Sequence, residues 1–332
     1  MASIVNFDLA AYQEAAHKFR SELLTLPVIG AKETLQYFTG RPGVRYKESV
    51  GYAGYEAQIA PYKRDRVSTP DLNITFRTLE TYFGSVVTSF DPNSAITTLL
   101  GAQAASQGEG IKQALSAQAV LGLIAKSISK NLNNAIWSGV RNENGDTTAD
   151  LFDGFDTITS AEITAGKIST ANHNLLDLTS IDAEHDNAVI PAEITDENAL
   201  DIAKQIYYSL SPELQMQVCY LFCSPDFVNK YNEAYLANHG GIIMPGNEYN
   251  QTVVEGSNGK LILCPLVNKA NSSYFHVSPK DNMLYGYDTQ SDDLRVDVEK
   301  YHPFLLTFVA TMFFGVQFES IAPERLKVVK IA

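Results

Sequence analysis

The stretch that decides the fold runs from Ile111 to Trp137 and reads IKQALSAQAVLGLIAKSISKNLNNAIW. Apolar residues recur in it at intervals of three and four, which is typical of a helix that buries one face. At a rise of about 1.5 Å per residue, such a helix is about 40 Å long. Ser138 and Gly139 follow, and glycine is common just past the end of a helix. We therefore predict one long helix that ends at these two residues.

The residues before this helix predict a shorter helix and then a β excursion. Residues 8–26 have a helical pattern, with Asp8 as the cap. Gly40–Gly43 has the composition of a turn. Polar and apolar residues alternate over Val44–Tyr52 and again over Leu72–Phe76, and a charged link lies between these two stretches. We read residues 40–78 as a long two-stranded excursion. Because an isolated ribbon is marginal in water, we expect a neighbour to support it.

Short strands and helices are mixed in the second half of the chain. Residues 140–194 consist of short polar pieces with no clear pattern. A helix with Asp196 as its cap follows, then a buried strand at Val218–Cys223, and then a helix over Asp226–Asn238 that Ser224 and Pro225 begin. Further strands are predicted at residues 261–265, 273–277, 294–298, 305–318 and 326–331. Strands and helices without strict alternation indicate an α+β fold.

Acidic residues are concentrated in one part of the chain. The net charge is −13, and residues 150–300 carry eight Lys and Arg against 23 Asp and Glu. This excess disfavours sequence-specific DNA binding. The longest apolar run, residues 304–316, is shorter than the roughly 20 residues that a membrane helix needs. The N-terminus shows no signal-peptide pattern, so we expect a soluble protein of the cytosol.

The sequence shows no catalytic motif. Its histidines are scattered without a metal-binding spacing, and its three cysteines are read as buried thiols, with a metal or redox site as the alternative. Asp288–Asp293 fits a solvated turn better than a cation loop, because it lacks the glycine and closing glutamate of such loops. We predict no enzyme activity, no cofactor and no metal. An enzyme with a site assembled from scattered Asp and His residues stays open as an alternative.

Four local stretches carry a resemblance to a known family. They are Asn134–Gly139, Leu151–Ile158, Cys223–Phe227 and Phe314–Phe318. Together with the order of the elements, they resemble major capsid proteins of tailed bacteriophages with the Hong Kong 97-like fold, in particular those of phages that infect Bacteroidetes-type hosts. The resemblance covers nearly the whole chain as an order of elements.

The resemblance implies a division into named regions. Residues 1–39 would be the N-arm and residues 40–78 the E-loop. The peripheral P-domain would consist of residues 79–149, with the spine helix at 111–137, and of residues 287–332. The axial A-domain would be residues 150–286. Because few residues precede the E-loop, we predict a separate scaffolding protein or none.

The resemblance also implies a function in assembly. Copies of the chain would form hexamers and pentamers of an icosahedral shell around double-stranded phage DNA, which they would contact non-specifically. The shell would assemble in the bacterial cytoplasm, with a portal protein and, where present, decoration proteins as further partners. The basic E-loop residues would pair with acidic positions on neighbouring subunits and set register more than strength. These residues are Arg41, Arg45, Lys47, Lys63, Arg64 and Arg66.

Two further points stay open at the level of sequence. An encapsulin-like nanocompartment has the same fold, and residues 8–26 would then fold inward to hold cargo. Some family members join their subunits by a Lys–Asn isopeptide bond. Lys47 and Lys63 are the candidate lysines here, and the sequence identifies no acceptor asparagine.

Overall fold

A computed structural model describes most of the chain. The described residues are 13–14, 16, 31–55, 61–64, 72–91, 109–179, 193–239, 251–288, 296–302 and 305–331. At 52–55, 72–75 and 109–119 only the backbone is described. The predicted helix at residues 8–26 therefore lies outside the described residues, except for three positions.

The described elements alternate irregularly between helices and strands. The helices are α1 (Lys32–Leu35), α2 (Glu109–Ser138), α3 (Phe155–Thr164), α4 (Ala199–Tyr208), α5 (Pro212–Met216) and α6 (Pro225–Asn238). The strands are β1 (Thr39–Pro42), β2 (Lys47–Tyr55), β3 (Leu72–Glu80), β4 (Tyr82–Phe90), β5 (Leu175–Asp177), β6 (Cys219–Cys223), β7 (Leu261–Pro265), β8 (Tyr274–Ser278), β9 (Met283–Asp288), β10 (Val296–His302), β11 (Leu305–Phe318) and β12 (Lys327–Lys330).

The chain divides into two compact units. The first consists of Met1–Tyr46, Glu80–Ile158 and Tyr285–Val316, and the second of Lys47–Leu79, Thr159–Leu284 and Gln317–Ala332. These boundaries differ from the regions expected from the resemblance, since residues 47–79 and 317–332 group with most of the expected A-domain.

The first unit is built around the long helix and a sheet. The strand β11 pairs with β4, β9 and β10, and β9 also pairs with β1. The helix α2 confirms the prediction and extends it by a few residues. Its residues Leu121 and Ala125 are buried in one cluster with Val298 and Phe308 of the sheet. The apolar face of the helix therefore forms a core with the returning strands.

The second unit contains a five-stranded sheet with the order β5-β12-β8-β6-β7. The helices α4 and α6 contribute their apolar faces to one large core with it. In this core the rings of Phe227 and Phe275 lie 5.0 Å apart. Ser224 accepts a hydrogen bond from the backbone N–H of Phe227, and Pro225 occupies the first turn, so the predicted start of α6 is confirmed.

Several local predictions were wrong or incomplete. The helix α4 begins after Asn198 rather than at the Asp196 cap. Thr39–Pro42, which overlaps the predicted turn, pairs as strand β1, and the left-handed turn residue is Gly43, with φ of 77°. The helix α3 and the strands β4 and β9 were not predicted.

Candidate assembly surfaces

The end of the long helix is held by aromatic packing and two glycines. The Trp137 ring is fully buried and lies 5.9 Å from Phe38 and 5.4 Å from Phe155, measured between ring centroids. A Cβ on Gly154 would lie 2.3 Å from the Trp137 carbonyl oxygen, and one on Gly139 would lie 2.6 Å from that of Phe152. Two of the stretches that carried the resemblance thus form one buried joint, which fixes where the helix stops.

The strands β2 and β3 form a sheet of two strands within the described residues. The β3 strand is fastened near its end by Arg77, whose Nη2 lies 2.7 Å from Oε1 of Glu162 and 3.0 Å from the side-chain oxygen of Gln317. Gln317 in turn donates to the Thr78 carbonyl. The Arg77 and Glu162 side chains are only 10% and 13% exposed. Since such a pair is largely desolvated, it anchors the ribbon base in the second unit.

The six basic residues predicted as contacts have different surroundings. Arg45 already has a partner within the chain, because its Nε lies 2.7 Å from the buried carboxylate of Asp288. Arg41 is half-buried in β1, and Lys47 is exposed at the start of β2. The structure therefore gives Arg45 an intramolecular role that its sequence neighbourhood did not indicate.

The remaining basic residues belong to the link between β2 and β3. Lys63 and Arg64 are exposed, and Tyr62 beside them is 91% exposed. Arg66 lies outside the described residues. An almost fully exposed tyrosine next to two exposed cations is an arrangement suited to contact with another molecule, since tyrosine and arginine are enriched at protein interfaces.

The strand β4 lies at the surface, with five of its nine residues exposed and four half-buried. It pairs with β11 over nine consecutive residues, from Tyr82 opposite Phe314 to Phe90 opposite Leu306, without a register shift. No residue of β4 is buried. No strand among the described residues pairs with its other edge. This surface was not predicted, because both faces of β4 mix polar and apolar residues, which leaves no hydrophobic alternation to detect.

One face of β4 presents apolar side chains to solvent. Phe83 and Val87 are 50% and 66% exposed, and they share this face because side chains alternate along a strand. The Phe83 ring packs on Phe313 of β11, at 5.1 Å between centroids. Tyr46, which is 65% exposed and has a φ of 67°, packs on the same ring at 5.2 Å. Two exposed aromatic rings and a valine thus form a surface patch on the first unit, with the buried Phe313 beneath the rings.

A buried polar chain joins α3 to the sheet of the second unit. The Lys269 Nζ donates to the Tyr274 carbonyl at 2.8 Å and to Nδ1 of His276 at 3.0 Å. Since lysine only donates, Nδ1 accepts, and Nε2 carries the proton that His276 donates to Oγ1 of Thr159 at 2.8 Å. Burial, followed by the nearby Lys269 charge, holds the pKa of His276 well below its usual value. The imidazole is therefore neutral and acts as a structural bridge.

The three cysteines are the remaining candidate groups, and the structure describes all of them. Cys219, Cys223 and Cys264 are buried, reduced thiols, and burial raises the pKa of Cys219 to about 12. Such thiols are poor nucleophiles. Within the part of the chain that the structure describes, no cluster of His, Cys, Asp and Glu side chains is arranged to hold a metal ion. No helix in this part is long and apolar enough to span a membrane.

Comparison with solved structures identifies the fold. The chain is similar to a satellite phage P4 procapsid, with a TM-score of 0.59 and 12% identity over 92% of this chain and 89% of the other. It is also similar to the capsid of an empty GTA particle, with a TM-score of 0.56 and 14% identity over 91% and 90%. A third is the cyanophage A-1(L) capsid, with a TM-score of 0.52 and 11% identity over 92% of each chain.

These likenesses show that the chain has the Hong Kong 97-like capsid fold, which confirms the predicted fold class. No protein-family model matches the sequence. No curated protein matches it either. At 11% to 14% identity the likeness is one of fold, and what the chain does has to be argued from its surfaces.

Proposed function

We propose that this chain is the major capsid protein of a tailed bacteriophage and builds the shell that encloses the phage genome. The observation that carries the proposal is the capsid fold over more than nine-tenths of the chain, shared with phage and GTA capsids. The exposed ribbon and the exposed β4 face support it, because both are surfaces that a lone chain leaves unburied. The Bacteroidetes-type resemblance of the four local stretches is part of the same proposal.

In this function, residues 47–79 act as the arm by which one subunit holds the next. The sequence predicts little core for the ribbon, and Arg77 fastens its base, so the exposed residues Tyr62–Arg64 would lie on a neighbour. Tyr62 would supply apolar contact area, and Lys63 and Arg64 would face acidic side chains of the neighbouring copy. Exposed ion pairs contribute little individually, and we therefore assign these cations to register and association rate.

The predicted partners follow from the same proposal. Copies of the chain would form hexamers and pentamers, with a portal protein at one vertex and a separate scaffolding protein where one exists. Contact with packaged DNA would be non-specific, since the acidic excess of residues 150–300 disfavours a sequence-reading surface. Assembly in the host cytoplasm and location in the virion are part of this proposal. The expected regions, with the E-loop at 40–78 and the A-domain at 150–286, stay predictions.

Deletion of residues 53–66 tests the role of the ribbon. We expect the variant to fold, because the cores of the two units lie elsewhere, and to lose closed particles in sedimentation and negative-stain microscopy. As a milder matched change, Lys63→Gln with Arg64→Gln keeps the ribbon and removes two of its positive charges, and should slow assembly without abolishing it. Normal particle yield from the deletion variant would show that the ribbon is not an assembly arm.

An encapsulin-like compartment is the alternative with the same fold. Of its distinguishing element, residues 8–26, the structure describes three positions, and Ala16 among them is buried in one cluster with Leu121 and Ala125 of the long helix. The solved capsids to which the chain is similar do not favour this alternative, because they are phage and GTA capsids. The neighbouring genes separate the two functions directly. Terminase and portal genes accompany a phage capsid gene, whereas a cargo-enzyme gene accompanies an encapsulin gene.

A further inference from the structure

The outward face of the long helix α2 is polar and basic. Leu121, Ala125 and Leu132 are buried, whereas the residues on the opposite side of the same turns are exposed. The exposed polar side chains of this outward face are Lys126, Ser127, Lys130, Asn131 and Asn134. Because residues three and four apart lie side by side on a helix, these five form one continuous surface, which we call the α2 strip.

The α2 strip carries positive charge in a chain that is acidic overall. The protein has 38 Asp and Glu among its 332 residues, yet none lies between Glu109 and Glu143, where four Lys and Arg occur. Within the part of the chain that the structure describes, neither Lys126 nor Lys130 forms an ion pair. Two like charges four residues apart destabilise a helix slightly, so folding alone does not favour this placement. Both charges are available to a partner.

The chemistry of the α2 strip fits phosphate groups better than it fits another protein surface. Lysine, serine and asparagine side chains all donate hydrogen bonds, and they contact phosphate oxygens in protein–DNA complexes. The centre of a stable protein interface instead has large apolar or aromatic residues and few lysines. On the part of α2 whose side chains are described, Leu123 is the one large apolar residue that is exposed. A polyanion, which needs charge and donors but no apolar anchor, is therefore the better partner.

Two lysines in each chain are enough when many copies act together. A contact to two phosphates is weak and depends strongly on salt. Many such contacts along one long polyanion add up to a high total affinity without any new contact in each chain. Contacts to phosphates carry no direct sequence information, so they suit a genome of any sequence. Weak individual contacts also allow DNA to slide along the protein surface.

We propose that the α2 strip is the surface on which this chain contacts the phosphate backbone of packaged double-stranded DNA, with Lys126 and Lys130 as the contacting cations. This inference rests on the proposed shell function and adds to it the residues that face the genome. The net charge of −13 does not oppose the contact, because the acidic excess lies in residues 150–300 and the α2 strip lies outside them.

Retention of the soluble chain on immobilised duplex DNA tests the α2 strip directly. A dense DNA column detects weak contacts, and its salt dependence reports the number of phosphates contacted. Lys126→Gln with Lys130→Gln should lower the slope of log retention against log salt concentration by about two. The matched control is Lys280→Gln with Lys300→Gln, which removes the same charge at two exposed positions outside α2. The control should keep the slope of the wild type.

Two results on the column would overturn the proposal. One is a wild-type chain that is not retained even at the lowest salt concentration. The other is an equal change of slope in the two double variants, which would make retention an effect of net charge alone. All four substituted lysines are exposed, so thermal melting should be the same for both variants and the wild type.

Labelling of lysines in assembled particles gives the second readout. With an amine-reactive ester, we expect Lys126 and Lys130 to react several-fold faster in particles emptied of DNA than in filled ones. Lys280 and Lys300 should react equally in both. Slow labelling of Lys126 and Lys130 in filled and emptied particles alike would show that another protein surface covers the α2 strip, and fast labelling in both would show that nothing does. Either result would contradict the proposal.

The two readouts separate this inference from the proposed function. A chain that forms no particles, but whose retention on DNA depends on Lys126 and Lys130, would support the α2 strip as a DNA contact and count against a shell. Particles whose α2 strip labels alike with and without DNA would support the shell and count against the DNA contact.

Discussion

The strands β6 and β4 both belong to five-stranded sheets, yet their surroundings differ. The strand β6 pairs with β7 on one edge and β8 on the other, and four of its five residues are buried. The strand β4 pairs with β11, and none of its nine residues is buried. The chain thus completes the packing of β6 with its own residues, whereas β4 and the ribbon retain apolar surface that a second copy is suited to cover.

The largest expected effect is a loss of stability on substitution in β6, the strand whose packing the chain completes with its own residues. Phe222 in β6 is fully buried, and Phe222→Ala should lower the free energy of unfolding by about 3–5 kcal/mol in denaturant titration. Phe83→Ala, at a half-exposed position of β4, should change it by less than about 1 kcal/mol. Equal losses for the two variants would remove the distinction between the strands.

A second prediction concerns the ribbon base. Arg77→Ala leaves the largely buried Glu162 carboxylate without its closest cation and should destabilise the second unit by about 3 kcal/mol. The matched variant Lys230→Ala removes a cation whose partner Asp226 is 72% exposed and should cost about 1 kcal/mol or less. Limited proteolysis within residues 53–66 should accelerate only for Arg77→Ala. Unchanged proteolysis would mean that Arg77 does not anchor the ribbon.

Acid should weaken the second unit through His276. Its pKa is depressed in the folded chain, so its contribution to stability is present above the unfolded-state pKa of 6.5 and is lost as pH falls below it. In this range the group should make the free energy of unfolding fall by about 1.4 kcal/mol for each unit by which the pH falls. Comparing wild type with His276→Gln between pH 7 and about pH 5 isolates this slope from that of the carboxylates. If the free energy of unfolding depends on pH in the same way in both proteins, His276 is not the buried neutral group described above.

The smallest effect on stability is expected at the ribbon tip. Tyr62 is 91% exposed, and Tyr62→Ala should change the free energy of unfolding by less than about 0.5 kcal/mol. Its effect should appear in assembly, as a lower yield of sedimenting particles at equal protein concentration. A variant with a changed melting temperature and a normal particle yield would contradict this assignment.

The elements that could be predicted are those whose signal is local. The helix α2 has a sustained apolar periodicity, and α6 has Ser224 and Pro225 at its start. The helix α3 was missed because it is rich in β-branched residues such as Ile158 and Thr159, which have low helix propensity. Contacts such as the hydrogen bond that His276 donates to Thr159 stabilise it, and they join residues that are distant in the sequence.

The candidate surfaces were predictable only in part. The ribbon could be inferred from two alternating stretches. The partner of Arg45 could not, because Asp288 lies 243 positions away and the sequence between them gives no sign of their proximity. The β4 edge was missed for a different reason. Both of its faces mix polar and apolar residues, so the strand has neither the alternation nor the continuous apolar run by which strands are recognised.

The most direct test of a shell-forming function is the mass and shape of the assembled protein. We propose mass photometry and negative-stain microscopy of the full chain, expressed alone and together with its neighbouring genes, over a range of concentrations. We predict rings or closed particles in at least one of these preparations, made of many 36.5 kDa subunits. A monomer of 36.5 kDa at every concentration, with and without those genes, would contradict a capsid function.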